Sequence, residues 1–388
     1  MRYFFQAGAF INISEAELVS VCQSFGISRD YIKNGGNDIF FIEKKDIDPN
    51  IVKKIFSRLG GYVRYGEVVE DLDTFLSQFE DRKKVTFGVS YIGKSDGDRK
   101  NIVKLSNDIK RYFKGLKIPS RFVIPKDVQL NEAQIRNNNI LEDGFEFCIF
   151  ESTNQTMYGK TLGIQDVEGF VHRDIDKPFS DYKMGVLPQK LARMMCNLTG
   201  LRDGIIWDPF CGSGTVLMEA SMIGFDILGS DISDEALYNT DRNILWMKDE
   251  GLITGIRYNL FSFDVLEPDR KIVSELKKTN IGAVICEPFM GPAQKRILTE
   301  NRAESLLKEV AKLYDALFNI LDNVGRPGFR VVMVIPSYKT FNGERTINIS
   351  RFAQKKWNVL NREYSKGDLI WSRKNSIITR NIFILSKK

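Results

Sequence analysis

The stretch Asp208-Pro209-Phe210-Cys211-Gly212-Ser213-Gly214-Thr215 decides how the C-terminal half of this chain is read. It lies between a short apolar run, Ile205-Ile206-Trp207, and a helical pattern over 215–223. Glycines at a strand-to-helix junction let the backbone turn sharply and approach a ligand closely. Leu217 stands where the dinucleotide fingerprint has its third glycine, and no Lys-Ser/Thr pair follows as it would in a P-loop. A ligand without a pyrophosphate therefore fits this turn better, which disfavours a dehydrogenase.

Outward from the turn, short apolar runs at 227–230, 259–263, 283–286, 329–335 and 381–385 read as strands, and 234–248 and 303–321 read as helices. Strands separated by helical patterns imply an α/β fold with a doubly wound, parallel, Rossmann-like sheet. Ligands bind such sheets at the carboxyl ends of the strands. Three acids fall there. Asp231 follows the second strand, where a carboxylate can bind ribose hydroxyls. Asp264 follows the third, where it can accept from an adenine amino group. Glu287 opens the turn Glu287-Pro288-Phe289-Met290-Gly291-Pro292 after the strand at 283–286.

The N-terminal half has another character. Residues 1–70 read as an α+β domain with a helix at 14–25, in which Ser14 is the expected N-cap and Glu17 its capping-box partner. Residues 71–155 give strands at 85–92, 121–124 and 145–150, and a helix at 102–113 with apolar residues at 102, 105, 109 and 113. Between Asp81 and Leu130 stand thirteen Lys and Arg against five acids, a local excess of eight positive charges in a chain whose net charge is +6. A basic face of this density suits phosphate binding, with a solvated lysine-rich surface as the bland alternative. Residues 156–182 are polar and mixed, and are expected to form a linker to a domain over 183–388.

The 388 residues are 43% hydrophobic and 27% charged, ordinary for a globular protein of two or three domains. The five cysteines are scattered and odd in number, which fits reduced thiols. The single histidine, His172, leaves little from which to build a zinc site, so no metal is expected and His172 is read as structural. No apolar run approaches the length of a membrane span, and no signal-peptide cleavage pattern is evident; a cytoplasmic location is expected.

The pairing of Asp-Pro-Phe-Cys-Gly-Ser-Gly-Thr with a later acid-Pro-aromatic turn resembles the amino-methyltransferases that modify exocyclic nitrogens of bases. The segment Lys183-Met184-Gly185-Val186-Leu187-Pro188-Gln189-Lys190-Leu191-Ala192-Arg193, with Arg173-Asp174 and Lys177-Pro178-Phe179 before it, is similar to the stretch preceding the cofactor motif in tRNA guanosine N2-methyltransferases. Leu369-Ile370-Trp371-Ser372-Arg373 and Arg380-Asn381-Ile382 match that family's last strands. The basic region resembles a THUMP domain through Phe87-Gly88-Val89-Ser90, Ile109-Lys110, Arg121-Phe122-Val123 and Gly144-Phe145-Glu146.

The resemblance implies S-adenosyl-L-methionine as cofactor and tRNA as partner, with guanosine-10 N2 as the target type and a small activating subunit left open. It implies cofactor contacts at Asp208, Phe210, Gly212, Gly214, Thr215, Asp231, Ile232 and Asp264. Glu287 and the Pro288 carbonyl become the expected acceptors for the amine hydrogens, and Phe289 the ring that stacks on the base, with core packing as its alternative. Lys110, Arg111, Lys114, Arg121, Lys190 and Arg193 become the expected RNA contacts. The family's usual Asp-Pro-Pro-Tyr-Gly is here Glu287-Pro288-Phe289-Met290-Gly291, so a DNA amino-methyltransferase and an inactive RNA-binding relative stay open beside the tRNA enzyme.

Overall fold

A computed structural model describes residues 2–93, 99–151, 156–180, 187–292, 294, 296–354, 356–373 and 376–388. Lys94 of the basic run and residues 183–186 of the segment before the glycine turn lie outside the described residues. The chain divides into two units: Met1–Ile11, Ile27–Ser57 and Tyr62–Val167 form the first, and Asn12–Gly26, Arg58–Gly61 and Glu168–Lys388 the second.

Among the described residues the first unit holds one sheet of eight strands: β1 (Arg2–Ala7), β2 (Ile32–Gly36), β3 (Ile39–Glu43), β4 (Tyr62–Val69), β5 (Val85–Ile92), β6 (Ser120–Val123), β7 (Gly144–Glu151) and β8 (Thr156–Ile164). Their order is β2-β3-β1-β4-β8-β7-β5-β6, with β5 parallel to both β6 and β7. The helix Arg99–Gly115 buries Ile102, Ile109 and Phe113 on one side, as its periodicity predicts, and packs them with Phe87 and Phe145.

This sheet corrects two sequence-based expectations. The boundary near residue 70 is absent, because β4 pairs with β1 on one side and β8 on the other. Residues 156–164 are not linker but β8, a central strand. A buried polar hub explains why the two parts cannot separate. Glu146 on β7 receives Arg64 Nη1 of β4 at 2.5 Å, Ser90 Oγ of β5 at 2.5 Å and Thr161 Oγ1 of β8 at 2.5 Å. Pulling any of these strands away would strand a carboxylate or a guanidinium in the interior.

The second unit carries β9 (Ile205–Asp208), β10 (Asp226–Asp231), β11 (Tyr258–Ser262), β12 (Ile281–Cys286), β13 (Arg330–Thr340), β14 (Gly343–Thr346), β15 (Trp357–Val359), β16 (Ile370–Trp371) and β17 (Ile378–Lys387). The order is β11-β10-β9-β12-β13-β17-β15, with β14 on β13 and β16 on β17. The strands β9 to β13 are parallel and β17 runs antiparallel to β13. Successive strands step outward from β9 to β11, and then the chain crosses back to place β12 on the other side of β9. That reversal opens a crevice between the carboxyl ends of β9 and β12.

Helix Ile11–Ser24, nearly all of it within the second unit, departs from expectation. Ser14 is not its N-cap but lies inside the helix, where its hydroxyl donates to the Gly61 carbonyl at 3.1 Å. Glu17 makes no capping box. It is buried, and its carboxylate accepts from Gly60 N–H at 2.7 Å, Gly61 N–H at 2.9 Å and Asn197 Nδ2 at 2.7 Å. Sequence spacing alone cannot distinguish a capping glutamate from one that anchors a helix to distant residues.

A second buried carboxylate, Glu219, sits on the helix Thr215–Met222 and takes Arg173 Nε at 2.6 Å and Arg193 Nη2 at 2.6 Å. Replacing Glu219 with Gln leaves two guanidinium groups buried without a countercharge. The expected result is a loss of roughly 3–5 kcal/mol, read as a lowered midpoint in chemical denaturation; a midpoint within 0.5 kcal/mol of wild type, itself about the scatter of ordinary surface substitutions, would contradict the pairing.

Candidate active site

The glycine turn is built where β9 ends. Gly212 and Gly214 adopt φ of 53° and 84°, in the left-handed region that side chains resist. A Cβ on Gly214 would lie 2.9 Å from Thr240, whereas one on Gly212 would meet nothing within 4 Å. Gly214 is thus glycine for packing, and Gly212 leaves open space beside the turn. Leu217, in place of a third glycine, is accommodated by the facing strand: a Cβ on Gly229 of β10 would come within 2.5 Å of the Leu217 side chain. The small residue has moved from helix to strand.

Side chains from two other elements fix the turn. Asp231, at the end of β10, accepts from Gly212 N–H at 3.0 Å through Oδ2 and from Ser233 N–H at 3.0 Å through Oδ1. Each carboxylate oxygen keeps lone-pair capacity for a further donor. From helix Asp234–Asp249, Thr240 Oγ1 donates to the Gly212 carbonyl at 2.7 Å and Asn243 Nδ2 to the Ser213 carbonyl at 2.8 Å. Asn243 also exchanges hydrogen bonds with the Phe179 backbone, accepting from N–H at 3.0 Å and donating to C=O at 2.9 Å. Thr240 and Asn243 were not singled out from sequence. Their signal was a pair of polar residues three apart on the face that also carries Ile244 and Met247.

The remaining expected cofactor residues surround this turn in different ways. Asp208 is buried, with Phe210 N–H on Oδ1 at 3.0 Å. Burial pushes its carboxyl well above the ordinary range; the Phe210 N–H opposes this, and Asp231 and Glu287 push further in the same direction as burial. It is better suited to shaping the turn than to meeting a ligand. Phe210 is half-buried, and Thr215 is buried at the start of the helix. Ile232 is 67% exposed, as is Tyr238 at 58%. Asp264 is half-buried beyond β11 and accepts from Leu266 N–H at 2.8 Å. Open space at Gly212, the Asp231 carboxylate and exposed apolar side chains beyond β10 fit an adenosyl group with an uncharged ring and ribose hydroxyls.

Across the crevice β12 ends in Cys286 and leads into Glu287. The pairing of Val284 with Trp207 sets Glu287 beside the end of β9. Pro288 is buried, and Phe289 is 51% exposed, so core packing does not account for its ring. Gly291 has φ of 82°, and Tyr338 of β13 donates its hydroxyl to the Met290 carbonyl, which braces the turn. The Glu287 carboxylate is not open on all sides. Arg380 of β17 grips it with two hydrogen bonds, Nε to Oε1 at 2.5 Å and Nη2 to Oε2 at 3.1 Å. Burial raises the Glu287 pKa, and the Arg380 guanidinium opposes that rise. Arg380 was quoted from sequence, but its partner could not be read there because 93 residues separate the two.

Of the expected RNA contacts, Lys110, Arg111 and Lys114 are exposed on the helix Arg99–Gly115 and Arg121 on β6, all in the first unit. Lys110 lies over the Phe122 ring and Arg111 pairs with Asp108. In the second unit, Lys190 is half-buried against Phe170. Arg193 corrects the expectation: it is buried on Glu219 and does not face solvent. A helix-borne arginine one turn from a lysine reads as a phosphate ligand, but its partner comes from the helix after the glycine turn. His172 contacts Asp176 and the Trp246 ring. All five cysteines are free and buried, and no His, Cys, Asp and Glu cluster able to hold a metal occurs among the described residues. No helix among them is long and apolar enough to cross a membrane.

Comparison with known proteins agrees with this geometry. Residues 180–364 match the family described as RMKL-like, methyltransferase domain, and residues 80–242 match one described as DNA methylase. A tRNA (guanine(10)-N2)-dimethyltransferase of Methanothermobacter thermautotrophicus is 31% identical over 116 residues, which are 30% of this chain and 30% of the relative. Its counterpart from Methanocaldococcus jannaschii is 33% identical over 115 residues, 28% of this chain and 29% of the relative. The matched stretch thus spans less than a third of either relative. The crystal structure of TrmN from Thermus thermophilus superposes with a TM-score of 0.51 at 13% identity, covering 100% of both chains, and so shares the fold. Over residues 180–364, then, the chain is similar to the RMKL-like methyltransferase domain, and over about 30% of its length it is similar to the tRNA (guanine(10)-N2)-dimethyltransferases.

Proposed function

We propose that this protein transfers a methyl group from S-adenosylmethionine to the exocyclic N2 of a guanosine in tRNA, of the position-10 type. The observation that carries this reading is the juxtaposition, where the strand order reverses between β9 and β12, of the turn held by Asp231 and the Glu287-Pro288-Phe289 turn. When bound, the cofactor supplies an electrophilic methyl group. The Asp231 carboxylate is placed to hold ribose hydroxyls, and Gly212 gives the backbone room to approach.

The protein's task on the acceptor side is alignment. An exocyclic guanine amine is a weak nucleophile because its lone pair is delocalised into the ring. Acceptors for its hydrogens stabilise the positive charge that develops on nitrogen as the bond forms. Glu287 retains a lone pair on each oxygen beyond those used by Arg380, and the Pro288 carbonyl is the second acceptor. The exposed Phe289 ring offers a stacking face to a base that has left its helix. Lys110, Arg111, Lys114 and Arg121 supply an exposed basic face for tRNA phosphates, the role expected of a THUMP-like region. We assign this work to the cytoplasm, where tRNA is used.

The match of residues 80–242 to the DNA methylase family supports a second reading, methylation of a DNA amino group. Its overlap with the RMKL-like match, residues 180–242, contains the glycine turn. One assay separates the two: purified protein with labelled cofactor, tRNA transcripts and duplex DNA side by side. The expected product is N2-methylguanosine in tRNA. Label in DNA alone establishes the second reading, and no label in either refutes both. Turnover by the chain alone shows that no activating subunit is required.

Two variants test the site. Asp231→Asn is expected to weaken S-adenosylhomocysteine binding roughly ten- to a hundredfold by calorimetry, the worth of a hydrogen bond to a charged group. Glu287→Gln is expected to lower kcat on the order of a hundredfold or more, with S-adenosylhomocysteine binding changed by less than about threefold. Near-normal turnover in that variant removes Glu287 from the mechanism.

A further inference from the structure

Resting on the methyl-transfer reading, we infer that Arg380 is a positioning residue for the reaction, holding the Glu287 carboxylate ionised and in one orientation while making its contribution through Glu287 alone. The fork geometry carries the argument. Two parallel N–H groups fix the plane of a carboxylate as well as its place, which a single contact cannot do. That matters more for glutamate than for aspartate, because the longer stem has one more bond to immobilise. Side-chain exposures of 10% for Arg380 and 13% for Glu287 keep the pair largely out of water.

Arg380 is itself placed from two sides. It stands opposite Pro336 of β13 and opposite Trp371 of β16. The Trp371 ring lies 4.9 Å from the guanidinium carbon. The titratable groups that feel the Glu287 charge are Asp208 at the end of β9, Cys286 before it and Tyr314 on helix Glu300–Val324, and Arg380 is the group that acts on it. Among these Arg380 alone is cationic. Burial favours the neutral acid, and a neutral acid is a poorer acceptor for an amine that is gaining positive charge.

The direction of the pH effect follows. Glu287 acts as the anion, so activity falls as pH drops through its pKa. Removing Arg380 raises that pKa and moves the acidic limb of the kcat/KM profile to higher pH, by roughly one to three units, the usual effect of a close opposite charge. The experiment compares wild type, R380M and R380K on tRNA across pH, with melting temperature and S-adenosylhomocysteine binding measured for each. The expected outcome is an upward-shifted limb in R380M, a kcat lowered with KM for tRNA little changed, and a limb restored most of the way by R380K. A limb that stays at its wild-type pH in R380M, or a loss confined to KM, overturns the proposal.

If R380M does not fold or turn over, E287Q, R380K and their double variant decide. Arg380 acting through Glu287 makes the double variant no slower than E287Q. Additive losses overturn the proposal. A wild-type protein that transfers no methyl group to tRNA refutes the underlying reading instead, before any variant is made.

Discussion

The glycine turn after β9 is the constraint on which the second unit's chemistry depends. Its backbone would be unstable alone, with two residues in the left-handed region and carbonyls at Gly212 and Ser213 turned away from regular structure. Asp231 holds it from one strand, and Thr240 and Asn243 from one helix. Because Asn243 also grips the Phe179 backbone, the segment before the domain is tied to the same turn. The strand-order reversal then decides what faces it. Only beside β9 does β12 deliver Glu287 to the open space at Gly212.

The parallel sheet was legible because each strand is a short apolar run bounded by helical pattern. In the first unit the strand at 85–92 has the bounds expected of it. Strand-end acids were legible too, since their position follows from topology. Buried charges were not. Arg193 and Glu17 look like surface residues in sequence, and each is buried on partners that only the fold supplies. Arg380 was visible as part of a motif but silent about its partner. The division of the N-terminal half failed for the same reason. Glu146 was noted as a motif residue, but its bonds to Arg64, Ser90 and Thr161 join strands on both sides of the supposed boundary.

The unusual Glu287-Pro288-Phe289-Met290-Gly291 turn has partners that offset its departures. Glutamate in place of aspartate lengthens the side chain, and a bidentate arginine takes up the added freedom. The tyrosine expected in the turn is absent, but Phe289 leaves its ring in solvent and Tyr338 reaches the Met290 carbonyl from β13. The departures from the usual motif are therefore matched by partners elsewhere in the unit.

The seating of helix Ile11–Ser24 bears on how the chain matures. In synthesis Asn197, one of the three donors to Glu17, follows it by 180 residues. Until then the apolar face of that helix, with Leu18, Val19 and Val21, lacks most of its final surroundings. A fragment ending near residue 167 would present that face to solvent permanently. The second unit is in this sense discontinuous in synthesis, since the helix and the residues that anchor it are made far apart in time.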